Sequence, residues 1–232
     1  MKRIIYCEGI IPSEDEKIQN FIESIIQIFE TLSLDYTVIG SVGIQSFYQY
    51  FFKLPNDLDI VIRKEDICFM KEIANQRGFQ VVDEIYKITI NTNVIPIHLL
   101  PGELCIFNKQ NDYVYGKVDL NEYLINPRVN SINFLASPNP TSIKVFPIEI
   151  NLYLELLRPI YTGSIYNLYF IFRYLQIDDR LFGYLMKKNN VFSELIVNRL
   201  RGYYERMILL TYNEKKDVQF VQDRIQLLLN KI

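Results

Sequence analysis

Cysteine is scarce in this chain. Cys7, Cys68 and Cys105 are scattered, with no paired spacing. That pattern excludes a disulfide framework and a zinc knuckle, and it fits a reducing cytoplasm. Long apolar runs are lacking too, since none approaches the roughly 20 residues of a membrane-spanning helix. The opening stretch MKRIIYCEGIIPSEDE has basic residues and a short apolar segment. It lacks the long apolar core and small-residue cleavage site of a secretory leader. A cytoplasmic protein with no membrane partner is the expectation. Tryptophan is absent, so the 14% aromatic content comes from 17 Tyr and 15 Phe. There is no internal repeat and no low-complexity tract. A net charge of −2 gives no footing for strong nucleic-acid binding through phosphate neutralisation.

What is present describes a packed protein. Apolar residues make up 49% and charged residues 22%, as in folded rather than disordered chains. At 232 residues, one large or two small domains are expected. Charge is unevenly spread: residues 1–150 carry 13 Lys and Arg against 19 Asp and Glu, and residues 151–232 carry 12 against 8. An acidic half beside a basic half suits an anionic ligand, although surface charge also fluctuates on this scale.

The order of elements is legible from periodicity. Ser13-Glu14-Asp15-Glu16 is a capping box with acids in the first turn, and it opens a helix to about Leu32. Tyr36 to Ile39 reads as a strand, Val42 to about Phe52 as a helix, and Leu58 to Ile62 as a second strand. A helix from Glu65 to Arg77 closes at Gly78. Phe79–Asp83, Tyr86–Asn91 and Val94–Leu100 read as further strands. A region of short pieces follows to Val145, with strands at Asn130–Ala136 and Ile143–Phe146. From Pro147 on the pattern is helical, over about 147–158, 163–176, 179–188, 190–212 and 216–231. The spacing thus predicts an α+β fold, with a mixed-sheet domain over 1–146 and an all-helical domain over 147–232.

The chemistry concentrates in Val38 to Ile62, VIGSVGIQSFYQYFFKLPNDLDIVI. Gly40-Ser41 marks the turn from strand to helix. Asp57 and Asp59 lie two apart at the next strand, so they share one face, about 7 Å apart along it. Two like charges gain a hydrophobic strand nothing, because they repel and resist desolvation. One or two divalent cations would give them a purpose. A plain turn at Asn56-Asp57, leaving Asp59 as a lone edge carboxylate, is the competing reading.

Gly40-Ser41, a helix of about a dozen residues, then Asp57-Leu58-Asp59 resembles the signature of the nucleotidyltransferase superfamily with the polymerase-beta-like fold. The stretch Lys53-Leu54-Pro55-Asn56-Asp57-Leu58-Asp59 is similar to a segment of the antibiotic nucleotidyltransferases and of the AbiEii-like toxins. Lys53 stands where those families place Arg, and Pro55 where they place Thr or Ser. The resemblance implies transfer of a nucleoside monophosphate from a nucleoside triphosphate to an acceptor, whether small molecule, RNA or protein. Gly40 would admit the triphosphate to the backbone, and Ser41 with the following amides would bind its oxygens. Asp57 and Asp59 would hold Mg²⁺. The family's site lies in a cleft between its two domains.

The resemblance weakens at the third acid. Asn93 to Leu100 looks like the matching strand, and one alignment places Pro96 at the missing Asp while the other places His98 there. Under either, the strand carries no acid. His98 is the only histidine, and it reads as a base, a phosphate contact or a structural residue. Glu103 is a possible substitute carboxylate or a solvated turn residue. In the helical part Arg158 falls near the family's nucleotide-supporting Lys, whereas Tyr161-Thr162-Gly163-Ser164 replaces its charged cluster. Arg199, Tyr203 and Arg206 fall on one helical face, as an acceptor contact or as an exposed amphipathic surface. The catalytic candidates are Asp57, Asp59 and His98, with Gly40, Ser41, Lys53 and Arg158 for the nucleotide. The alternative is a catalytically impaired descendant that binds nucleotide or a protein partner.

Overall fold

The computed structural model describes residues 12–48, 54–84, 87–108, 113–132, 141–158, 162–210 and 215–231. Met1–Ile11, read as a strand or arm, lies outside the described residues. The chain divides into two compact units, one of residues 1–105 with 117–146 and one of residues 106–116 with 147–232.

The first unit runs through α1 (Pro12–Thr31), β1 (Tyr36–Ile39), α2 (Gly40–Ser46), β2 (Leu58–Ile62), α3 (Asp66–Gln76), β3 (Gln80–Asp83), β4 (Ile88–Asn91) and β5 (Ile97–Pro101). β6 (Glu103–Asn108) and β7 (Tyr113–Asp119) form a two-stranded sheet, and α4 (Asn121–Leu124), β8 (Arg128–Ile132) and β9 (Thr141–Val145) complete the order. Seven strands make one mixed sheet, in the order β3-β4-β5-β2-β1-β9-β8. β2 is its axis, antiparallel to β1 and parallel to β5.

Alternation gives this sheet two different faces. Val38, Leu58, Ile60, Ile62, Ile97 and Leu99 point to one side, where Ile22 and Phe29 of α1 and Met70 and Ala74 of α3 cover them. Each fully buried aliphatic side chain there contributes roughly 1.5–3 kcal/mol. The intervening positions, Ile39, Asp59, Val61, Thr89 and His98, point to the opposite side. The charged residues of β2 and β5 are therefore excluded from the helix-covered core by register alone. Polar ties fix the frame: Thr141 Oγ1 donates to Glu23 at 2.6 Å, linking β9 to α1. Lys144 pairs with Glu30 at 2.8 Å and holds that carboxyl below its usual value, while burial pushes the Tyr36 phenol, which donates to Glu30, upward.

Three departures from the sequence reading have local causes. α2 ends at Ser46, well short of Phe52. The Ser46 hydroxyl bonds back to the Gly43 carbonyl at 2.6 Å, and the Phe47 and Tyr48 amides reach only three residues back, which tightens and ends the helix. β5 begins at Ile97 rather than Val94, because Thr92 Oγ1 donates to the Ile95 carbonyl and accepts from the Val94 amide, so the backbone bends there. β6 and β7 are strands of six and seven residues where only short pieces were expected.

Among the described residues the second unit holds the inner parts of β6 and β7, then α5 (Ile148–Leu157), α6 (Thr162–Tyr174), α7 (Asp179–Lys188), a 3₁₀ turn (Asn190–Phe192), α8 (Ser193–Leu210) and α9 (Lys215–Leu229). All ten residues of α5 are buried, because α6, α7 and α8 each pack against it. Asp178 caps α7 by accepting from the amides of Arg180 and Leu181, and its own amide donates to Glu149 at 2.7 Å. Arg224 of α9 donates to the carbonyls of Phe172 and Leu175, satisfying two orphan acceptors at the end of α6. No helix among the described residues is long and apolar enough to cross a membrane.

Candidate metal centre

The centre begins at the turn from β1 to α2. Ile39 is extended, and Gly40 has φ +66°, the left-handed region that glycine enters without cost. The β1–β2 register sets Ile39 opposite Asp59. Gly40 thus lies against the Asp59 side chain, and a Cβ built on it would sit 2.3 Å from Asp59 Oδ2. Both the backbone conformation and this close approach require glycine.

The β2–β5 register supplies the next member. Asp59 stands opposite His98, and His98 Nδ1 lies 2.8 Å from Asp59 Oδ1 and 3.8 Å from Asp57 Oδ2. With Asp59 ionised, Nδ1–H donates and the carboxylate accepts. Asp59 is 7% exposed, so its carboxylate sits where water scarcely reaches. Asp57, just before β2, is more open at 38% side-chain exposure. Donor atoms of Asp57, Asp59 and His98 all lie within 4.8 Å of one another, and among the described residues this is the one such group able to hold a metal ion. The β2–β5 register sets His98 opposite Asp59, and the Leu58 amide donates to the Pro96 carbonyl at 3.0 Å.

Solved structures similar to this chain include adenylyl- and nucleotidyltransferases. The lincosamide antibiotic adenylyltransferase LnuA, in its lincomycin-bound crystal structure, is 12% identical with a TM-score of 0.47, and the match covers 66% of this chain and 92% of that one. The antibiotic-resistance factor ANT(2'')-Ia, in solution, is 11% identical with a TM-score of 0.46, over 87% and 98% of the two chains. A tRNA nucleotidyltransferase complexed with a primer tRNA and an incoming ATP analogue is 16% identical with a TM-score of 0.40, over 87% of this chain and 59% of that one. The likeness to AbiEii-like toxins expected from the sequence has no support in these matches. No protein-family model matches the sequence, and no curated protein matches it.

The remaining candidates fall elsewhere. Ser41 is half-buried in the first turn of α2, next to Gly40. Lys53 lies outside the described residues. Arg158 belongs to the second unit, just past α5, with Glu155 3.7 Å away. Glu103 opens β6 and pairs with Lys117 at 3.0 Å, so it is a strand residue rather than a turn residue and is not among the three donors. The helical face of Arg199, Tyr203 and Arg206 is corrected, since Tyr203 is fully buried in the helical core while Arg206 is exposed. The packing of α8 on α5 and α9 takes Tyr203 inward. One neighbour of the centre went unread in the sequence: Thr89 of β4 pairs with His98 and extends the polar row by one strand. Its hydroxyl donates to Glu84 at 2.7 Å. The alternation Ile88-Thr89-Ile90 was the available signal, but only the pairing shows which residue it meets.

Proposed function

We propose that this chain is a divalent-cation-dependent nucleotidyltransferase, moving a nucleoside monophosphate from a nucleoside triphosphate to an acceptor hydroxyl. One observation carries the reading. Two carboxylates and the single histidine converge beside a glycine whose missing Cβ leaves room only because it is missing. A hydrophobic strand would not retain such a cluster for stability, because desolvating it is costly.

The donor set fits a divalent cation, with two carboxylate oxygens and a ring nitrogen gathered on one face of the sheet. When bound, Mg²⁺ or a similar ion supplies charge neutralisation at the α-phosphate and the leaving pyrophosphate. Asp57 and Asp59 hold that charge in place. Gly40 offers a bare backbone to the triphosphate, and the Ser41 hydroxyl beside it donates to an anionic oxygen. The acceptor oxygen forms a bond to the α-phosphorus as the bond to pyrophosphate breaks, and a base takes its proton. The rows of buried β-strand pairs around Asp59 and His98 keep their side chains fixed, which favours catalysis by positioning. Arg158 and Lys53 are proposed as phosphate contacts, on the strength of the sequence resemblance.

One observation favours a second reading. His98 stands beside Asp59, and its strand, on which the resemblance expects a third acid, carries none, as in an impaired, nucleotide-binding descendant. Labelled triphosphates with Mg²⁺ or Mn²⁺ and a panel of acceptors separate the two. Transfer of label that disappears in Asp57→Asn and Asp59→Asn supports the enzyme. Triphosphate binding without transfer supports the second reading, and label that persists in both variants refutes the assigned role of the acids.

A further inference from the structure

The histidine presents Nδ1, the nitrogen nearer the backbone, to the two carboxylates. The nitrogen that hydrogen-bonds Asp59 in one tautomer offers a lone pair to the same point in the other. The separations are informative. Six-coordinate bonds of about 2.1 Å give a cis edge of roughly 3.0 Å and a trans span of roughly 4.2 Å. Nδ1 stands 2.8 Å from Asp59 Oδ1 and 3.8 Å from Asp57 Oδ2. Both values match or lie between those two spans, and the three donor atoms together lie within 4.8 Å, so one ion touches all three once the carboxylates draw in around it. The ring is also held. His98 is 15% exposed in its side chain, and its strand is paired on both sides, to Asp59 of β2 and to Thr89 of β4.

We propose that His98 Nδ1 is itself a metal ligand beside Asp57 and Asp59, and that the centre therefore selects a first-row transition-metal dication over Mg²⁺. The proposal rests on the reading of this cluster as a divalent-cation site. Mg²⁺ is a hard ion that favours oxygen donors and surrenders its waters reluctantly. Replacing one carboxylate by an imidazole removes a negative charge that Mg²⁺ would use, and adds a nitrogen that transition ions bind well. Mn²⁺ and Co²⁺ accept both donor types. On binding, the neutral ring moves its proton from Nδ1 to Nε2, and the Nδ1 lone pair that takes the ion replaces the hydrogen bond to Asp59. No net proton is released from a neutral imidazole, and Nε2–H remains as a donor.

The alternative role is positioning, with Nδ1–H keeping its bond to Asp59 while only the two carboxylates touch the ion. Pulsed electron paramagnetic resonance on the full chain with one equivalent of Mn²⁺ separates these. The expected result is a ¹⁴N coupling from a directly bound imidazole, absent in His98→Gln. Titration followed by the free Mn²⁺ signal should show affinity weakened about 10- to 100-fold in His98→Gln, the range usual for damaged metal shells. Mg²⁺ affinity, read by competition, should change less than about threefold. His98→Asp should reverse the preference towards Mg²⁺. Mn²⁺ bound at unit stoichiometry without ¹⁴N coupling in the unsubstituted protein overturns the ligand assignment and leaves the cation site standing. Equal weakening of both ions in His98→Gln overturns the selectivity. No binding of either ion at millimolar concentration overturns the site and the proposed function together. The first measurement uses the unsubstituted chain, so the assignment stays refutable even where a variant folds poorly.

Discussion

Gly40→Ala tests the geometry of the centre without any ligand. The substitution adds one methyl group and incurs two separable costs. The backbone cost arises because Gly40 has φ +66°, and an L-residue in the left-handed region is disfavoured by about 1–2 kcal/mol. The steric cost arises because the new Cβ would lie 2.3 Å from Asp59 Oδ2, where ordinary contact begins at 3.4 Å. Asp59 is buried against His98, so moving it forfeits a charge-assisted hydrogen bond worth roughly 1.5–3 kcal/mol. The sum is about 2.5–5 kcal/mol. Gly78 supplies the control: it has φ +75° and nothing within 4 Å of its Cβ position, so Gly78→Ala should cost the backbone part alone. Urea unfolding followed by far-UV circular dichroism, in chelator, measures both. A double-mutant cycle isolates the clash, because Asp59→Ala removes the obstructing oxygen. In that background Gly40→Ala should cost only about 1–2 kcal/mol, a coupling of about 2 kcal/mol. Coupling below about 0.5 kcal/mol, or a Gly40→Ala cost no larger than that of Gly78→Ala, would refute the packing of glycine against aspartate on which the site depends.

Two further outcomes follow from polar contacts away from the centre. Arg224→Met should cost about 1.5–3 kcal/mol in urea unfolding by leaving the Phe172 and Leu175 carbonyls without their charged donor, and Arg224→Lys should restore little, since a single ammonium does not span two carbonyls as a guanidinium fork does; full rescue by lysine would refute the fork. Lys144 lowers the Glu30 carboxyl from its usual 4.5, so the stability it supplies is present above that value and is lost as pH falls through the lower folded value. Glu30 is half exposed, so the effect should stay below about 1 kcal/mol. The urea midpoint should therefore fall less between pH 5 and pH 3 in Lys144→Met than in the parent, and equal falls would sink that assignment.

Local chemistry was enough to reveal much of this protein. The helical periodicity of Ile18 to Phe29, the apolar run of β2 and the closing Gly78 are events within a few residues, so α1, β2 and α3 follow from the chain alone, although α1 starts at Pro12 and takes Ser13 inside it rather than at its cap. Asp57 and Asp59 share a face for the same reason, two residues apart in an extended backbone. The Gly-Ser turn and the Asp-x-Asp pair could therefore be named as a candidate centre before any coordinates. The ends of α2 and β5 could not, because Ser46 and Thr92 each had a choice between solvent and their own backbone.

What the chain left open was pairing across distance. Nothing near His98 says that its partner is Asp59, 39 residues earlier; the parallel register of β5 on β2 decides that. The same register turns both side chains away from the face that α1 and α3 cover, and it brings Thr89 alongside. Tyr203 went inward because α8 is covered by its neighbours, which periodicity does not report. Residue type and spacing determined which groups carry charge and which faces are apolar, since these depend on covalent structure and backbone repeat. Tertiary structure alone decided which donors meet at one point, because that is set by burial of the opposite face of the sheet.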